Sequence, residues 1–264
     1  MSDVTSFQPS WYLRNGHVQT ILASSPFRAW GKNPMCDAAR EMIIKTPEDV
    51  RLQGYYSCQK SKMAVGLVIL LQGKPVFLVG FSLGGNFVLR IARKMSHTPI
   101  DSIYHVVGIS PVLDPQKATD RIDRKPLIRK YFLKKWLQSL KIKQSLFPDV
   151  YDFSSLYSLN TIQAVTDQML DQYSEYKSAS DYFKNYSILN DTIDDLPVPT
   201  TIMTAADDPI IPVEDFQRLK LNHHTRLVIH TFGGHNGFID GFFLKSWYEQ
   251  KLADLFDTIV QPIY

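Results

Sequence analysis

The 264-residue chain predicts an α/β fold: a mainly parallel sheet with helices on both faces and a helical cap inserted into it. Three observations lead there. Short apolar runs alternate along the chain with stretches of helical periodicity, the pattern of parallel strands joined by helices. One such run, residues 76–79, leads straight into Gly80-Phe81-Ser82-Leu83-Gly84-Gly85-Asn86, and a helical pattern follows from Phe87. Residues 115–196 carry no strong strand signal and lie between two sheet strands, as an inserted cap would.

Taken in order, residues 41–45 and 51–58 read as two strands joined by the turn Pro47-Glu48-Asp49. Residues 65–71 form a continuous apolar run, read as a buried strand, and 76–79 form the next. Strands at 103–110, 200–204 and 227–230 complete the set, with helices expected at 87–95, 213–219 and 241–259.

Strand, sharp turn with a serine at its apex, then helix: this is the nucleophile elbow of an α/β-hydrolase. The turn is strained, and a Cβ at Gly80 or Gly84 is expected to collide with neighbouring backbone. Ser82 would be held clear of the sheet at a helix N-terminus. The free N–H groups there, that of Leu83 first, suit a developing oxyanion. A serine nucleophile needs a base, and the base needs an orienting acid, in the chain order Ser, Asp, His. Past the strand at 200–204 comes Ala206-Asp207-Asp208-Pro209-Ile210-Ile211-Pro212, and past the last strand comes Gly233-Gly234-His235-Asn236-Gly237-Phe238. Asp208 is the candidate acid, standing just ahead of an apolar-proline step, with Asp207 its competitor. His235 is the candidate base, on a loop freed by its glycines. His223 and His224 sit in a polar loop, His105 and His230 within strand patterns, and His97 after a helix. No set of side chains has metal-ligand spacing, so neither a metal nor another cofactor is expected.

The spaced pattern Phe7, Pro9, Trp11, Leu13, Asn15, Gly16, His17, Gln19 and Thr20 resembles the N-terminal signature of the YheT-like α/β-hydrolases. The elbow, Asp207-Asp208-Pro209 and the Gly-Gly-His loop are similar to that family's motifs too, in the same order. The resemblance implies an α/β-hydrolase fold and acyl transfer on a carboxylic ester, with water or an alcohol as acceptor. Bacterial members of the family are serine hydrolases; eukaryotic relatives include phospholipases and medium-chain acyl ester synthases or esterases. A role in packing the N-terminal arm is expected for His17.

One stretch departs from the family. The strands at 65–71 and 76–79 are separated only by Gln72-Gly73-Lys74-Pro75. Four residues make a hairpin, whereas parallel neighbours need a crossover of a dozen or more. The oxyanion loop, helix, strand and further helix that the resemblance places here have no counterpart, as after an internal deletion. The sheet is therefore expected to be incomplete, and the elbow strand is in conflict over its direction. Of two oxyanion donors Leu83 N–H remains, and Gly73 is the candidate replacement for the other. Loss of one donor costs on the order of 3 kcal/mol of transition-state stabilisation. The alternative to an active ester hydrolase is thus an impaired or inactive relic that at most binds lipid.

Composition narrows the partners. A net charge of +3 gives no nucleic-acid signal. Two cysteines are too few for a disulfide scaffold, which fits a reducing cytoplasm, and neither a signal peptide nor a membrane span is evident. Residues 117–143 hold ten Lys or Arg against two Asp. A solvated helix face is the plain reading of that run; a surface for anionic lipid headgroups or acidic substrates is the sharper one. The expected ligand is a small-molecule ester or lipid. The cap aromatics Tyr131, Phe132, Trp136, Phe147, Tyr151 and Phe153 are candidates to line its acyl pocket.

Overall fold

The computed structural model of the chain describes residues 6–23, 25, 39–45, 51–57, 76–189 and 193–260. Along the chain these form α1 (Gly16–Ala23), β1 (Ala39–Lys45), β2 (Arg51–Ser57), β3 (Val76–Phe81), α2 (Leu83–Lys94), β4 (Ile103–Ile109), α3 (Pro115–Asp123), α4 (Pro126–Leu146), α5 (Ile162–Tyr173) and α6 (Ala179–Tyr186). Then follow β5 (Thr200–Ala205), α7 (Val213–Gln217), β6 (Thr225–His230), β7 (Ile239–Asp240), β8 (Lys245–Ser246) and α8 (Trp247–Val260).

β3, β4, β5 and β6 run parallel in that spatial order, and the fold is that of an α/β-hydrolase. Side chains alternate across the sheet. Val106 and Ile202 pack on one face with Leu89 and Ala92 of α2 and Phe216 of α7. Val107, Ile109, Met203 and Ala205 pack on the other with Phe256 of α8 and Phe7. This two-residue period puts helices on both faces. β1 and β2 pair antiparallel as a separate ribbon.

β3 is parallel to β4, so Ser82 stands at the carboxyl edge that β5 and β6 share. The conflict over strand direction does not extend to the elbow. The expected strand at 65–71 and its short connection, Gly73 included, lie outside the described residues. Among those described, β3 stands at the edge of the four-stranded ladder.

One expected helix is shorter than the sequence suggested. The pattern at 241–259 becomes helical only at Trp247. Ahead of it β7 and β8 make a tight antiparallel hairpin, with Gly241 at φ +70° and Leu244 at φ +51°, left-handed values that no α-helix interior accepts. The elbow strand and helix extend instead, and meet at a single residue, Ser82.

The segment following β4 is helical. Asp114 caps α3 by accepting from Lys117 N–H at 3.1 Å, with Pro115 at the first helical position, where its missing donor costs nothing. Thr161 and Ser178 cap α5 and α6 in the same way. Leu133 and Leu140 of α4 build a separate small core with Phe153, Leu156 and Val165. Among the described residues no helix is long and apolar enough to cross a membrane.

Candidate active site

The site grows from the turn between β3 and α2. Ser82 has φ +52° and ψ −117°, a conformation few non-glycine residues adopt. It is held from several sides: Ser82 N–H donates to Ile109 O at 2.9 Å, while Ser82 O accepts from Asn86 N–H at 3.1 Å and Val112 N–H at 3.1 Å. Strain of this kind persists only where surrounding bonds over-determine it. A Cβ on Gly80 would run into the Gly84 carbonyl, which explains the first glycine of the motif. Gly84 differs from expectation: beyond its chain neighbours and the adjoining backbone of α2, no atom lies within 4 Å of a Cβ placed there. The crowded position is Gly85, where a Cβ would come within 2.9 Å of Pro111. The turn brings α2 tightly against the end of β4, and the residue facing that contact is Gly85.

His235 Nε2 lies 2.8 Å from Ser82 Oγ, and His235 Nδ1 lies 2.9 Å from Asp208 Oδ2. His235 is 5% exposed and Asp208 likewise 5%. The other Asp208 oxygen accepts from Ile210 N–H at 2.7 Å and Ile211 N–H at 2.9 Å. These bonds orient the carboxylate, and Nδ1–H donating to it leaves Nε2 to accept from the serine hydroxyl. Asp207 points elsewhere, accepting from Gly234 N–H at 2.8 Å. Burial, with the neighbouring Asp208 charge in support, raises its carboxyl above the usual range, and its second oxygen is buried without a partner. Leu83 is the first residue of α2, so its N–H has no intrahelical acceptor and stays available beside Ser82. Gly73 lies outside the described residues.

Sequence reasoning missed the support for His235. Gln19 is fully buried; its Nε2 donates to Leu13 O and Ile239 O, each at 2.9 Å, and its Oε1 accepts from Ile239 N–H at 2.8 Å. Gly234 and Gly237 lie against it, where a Cβ on either would come within 2.8 Å of the Gln19 side chain. Phe7 N–H donates to His230 Nδ1 at 3.0 Å, and burial lowers the His230 pKa to about 4, so its imidazole is a neutral acceptor. The N-terminal arm thus clamps the histidine loop. His17, expected to pack this arm, has an exposed side chain, because it points away from the face that carries Gly16, Gln19 and Thr20. The spacing of those three buried positions, one helical face, was the available signal.

Ser82 and His235 open into a cavity of about 700 Å³, walled chiefly by apolar side chains, among them Phe81, Leu127, Ile128, Phe132 and Tyr248. Of the cap aromatics only Tyr131 and Phe132 line it. Trp136, Tyr151 and Phe153 turn into the small core around Leu133 and Leu156, and Phe147 is exposed. Asn86 ties the elbow to the helices above it, its Nδ2 donating to Val112 O at 2.8 Å and Tyr186 O at 2.7 Å.

No known family profile matches the chain. It is similar to an abhydrolase domain-containing protein of Dictyostelium discoideum, 27% identical over 89% of this chain and 58% of that one. It is 23% identical to the human monoacylglycerol lipase ABHD2 over 70% of this chain and 48% of that one. It is 24% identical to the mouse phospholipase ABHD3 over 67% and 44%. The chain spans about half the length of the curated relatives it matches. Among solved structures, a monoacylglycerol lipase of Paleococcus ferrophilus overlaps 72% of this chain and 69% of that one, 20% identical, at a TM-score of 0.36.

Proposed function

We propose that this member of the α/β-hydrolase superfamily is a serine hydrolase of carboxylic esters with apolar acyl chains, medium-chain or lipid-like. One observation carries the reading: the 2.8 Å and 2.9 Å contacts that link Ser82, His235 and Asp208 end in the apolar cavity. Ser82 Oγ attacks the acyl carbon while His235 Nε2 takes its proton, and the carbonyl electron pair moves to oxygen. Leu83 N–H donates to that oxyanion. Asp208 holds the imidazolium in place. Collapse expels the alcohol, which receives its proton from His235 and leaves an acyl group on Ser82. Water, activated by the same imidazole, then releases the acid; an alcohol in place of water would give acyl transfer.

The helices of residues 115–196 serve as the cap that shapes the acyl pocket. The pattern from Phe7 to Thr20, which holds the histidine loop, supports placement in the YheT-like family, and the low cysteine count fits a cytoplasmic protein. The names of the relatives, monoacylglycerol lipase and phospholipase, support a lipid ester as substrate.

Covalent labelling with a fluorophosphonate probe tests this reading. Labelling of the wild-type chain that disappears in Ser82→Ala is expected. A folded chain that takes no label would overturn it and leave an inactive lipid-binding relic.

A further inference from the structure

α4 is 21 residues long and holds six Lys or Arg and no Asp or Glu. At 100° per residue, Leu127, Lys130, Tyr131, Lys134, Lys141 and Ile142 fall on one side, and all six are exposed. The opposite side packs through Leu133 and Leu140. A merely solvated face would mix charge signs and omit large aliphatic side chains. This one does neither: Leu127 is 80% exposed and Ile142 61%. Among the described residues none of its lysines is held in an ion pair. Leu127 and Tyr131 also line the cavity that contains Ser82, as does Ile21 of α1, itself 60% exposed. The cationic, partly apolar face and the cavity mouth therefore share one side of the molecule.

We propose that this side docks on an anionic lipid surface. The lysines meet lipid phosphates, Leu127, Ile142 and Ile21 enter the headgroup layer, and the cavity opens toward the bilayer. Charge complementarity selects the occupant. Each lysine brought to such a surface strengthens binding about fivefold, and cations combined with inserted apolar side chains hold where neither alone does. A nucleic acid would match the charges but leave the aliphatic side chains in water. The docking rests on the hydrolase reading for its purpose, and its binding is measured independently of turnover.

The test is co-sedimentation of the full chain with vesicles of phosphatidylcholine alone and of phosphatidylcholine with one quarter phosphatidylserine, at low and high salt. Binding confined to the anionic vesicles and weakened by salt is expected. The triple variant Lys130→Glu/Lys134→Glu/Lys141→Glu, whose positions lie outside the cavity, should bind at least about tenfold more weakly. It should hydrolyse a small monodisperse ester at the wild-type rate yet lose turnover of a vesicle-borne ester. Ile142→Asp should weaken binding while leaving the lysines in place. Equal binding to both vesicle types, indifference to charge reversal, or equally tight salt-sensitive binding to single-stranded DNA would overturn the proposal. If instead Ser82→Ala leaves all turnover unchanged while anionic vesicles still bind, the hydrolase reading fails and the docking stands.

Discussion

Thr20 Oγ1 accepts a hydrogen bond from the backbone N–H of His235 at 2.9 Å, across 215 residues of sequence, while its own hydroxyl donates to Gly16 O at 2.6 Å. A side chain of α1 therefore fixes where the backbone of His235 stands. Thr20→Val keeps the volume and leaves a buried N–H without an acceptor, a loss of about 1–3 kcal/mol of stability. kcat should fall about tenfold with little change in KM, since a displaced base slows chemistry more than it weakens binding. Thr20→Ser should restore both. Steady-state kinetics with a melting curve checks this; an unchanged kcat in Thr20→Val would remove the residue from the positioning of His235.

The two aspartates separate cleanly by experiment. Asp208→Asn should lower kcat by about 10³–10⁴-fold, because the imidazole then loses the tautomer that leaves Nε2 free to accept. Asp207→Asn should keep kcat within about tenfold, its bond being to the Gly234 backbone rather than to the imidazole. The reverse ranking would exchange their roles.

The glycines of the elbow should differ sharply. Gly80→Ala forces a methyl group into the Gly84 carbonyl and should leave no soluble labelled protein. Gly84→Ala meets open space in the first turn of α2 and should cost less than about 1 kcal/mol, with activity retained. Equal tolerance at the two positions would contradict the packing of β3 on α2.

Acid should weaken the fold through His105. Burial lowers its pKa from 6.5 to about 4, and its Nε2 is 2.9 Å from Thr201 Oγ1. Between those values the unfolded chain binds the proton and the folded chain does not. The stability present above pH 6.5 is therefore lost as pH falls toward 4, by up to about 3 kcal/mol. His105→Gln, which cannot titrate, should flatten the melting temperature against pH in that window. An identical slope in both proteins would place the acid sensitivity elsewhere.

The legible parts of the site were those whose cause is local. Ser82 announces itself because strand, turn and helix are adjacent in sequence, and the Asp208 and His235 loops follow strands whose apolar runs are plain. The work of Gln19 and Thr20 was hidden, since their partners lie some 200 residues away and nothing in a short window records them. The reason for Gly84 was misjudged because crowding at the elbow depends on Pro111, beyond β4. The start of α8 was misread because residues 241–246 share its apolar spacing, while the left-handed backbone at Gly241 and Leu244 turns them into a hairpin.

The separation of 153 residues between Ser82 and His235 also has a meaning in time. At about 5–20 residues per second, a chain under synthesis carries Ser82 for roughly 8–30 s before His235 exists. The arm that will hold the histidine loop has emerged earlier still and must wait for it. On the proposed reading, a nascent polypeptide cannot form the contact between Ser82 and His235 until the strands β5 and β6 that lie between them have been made.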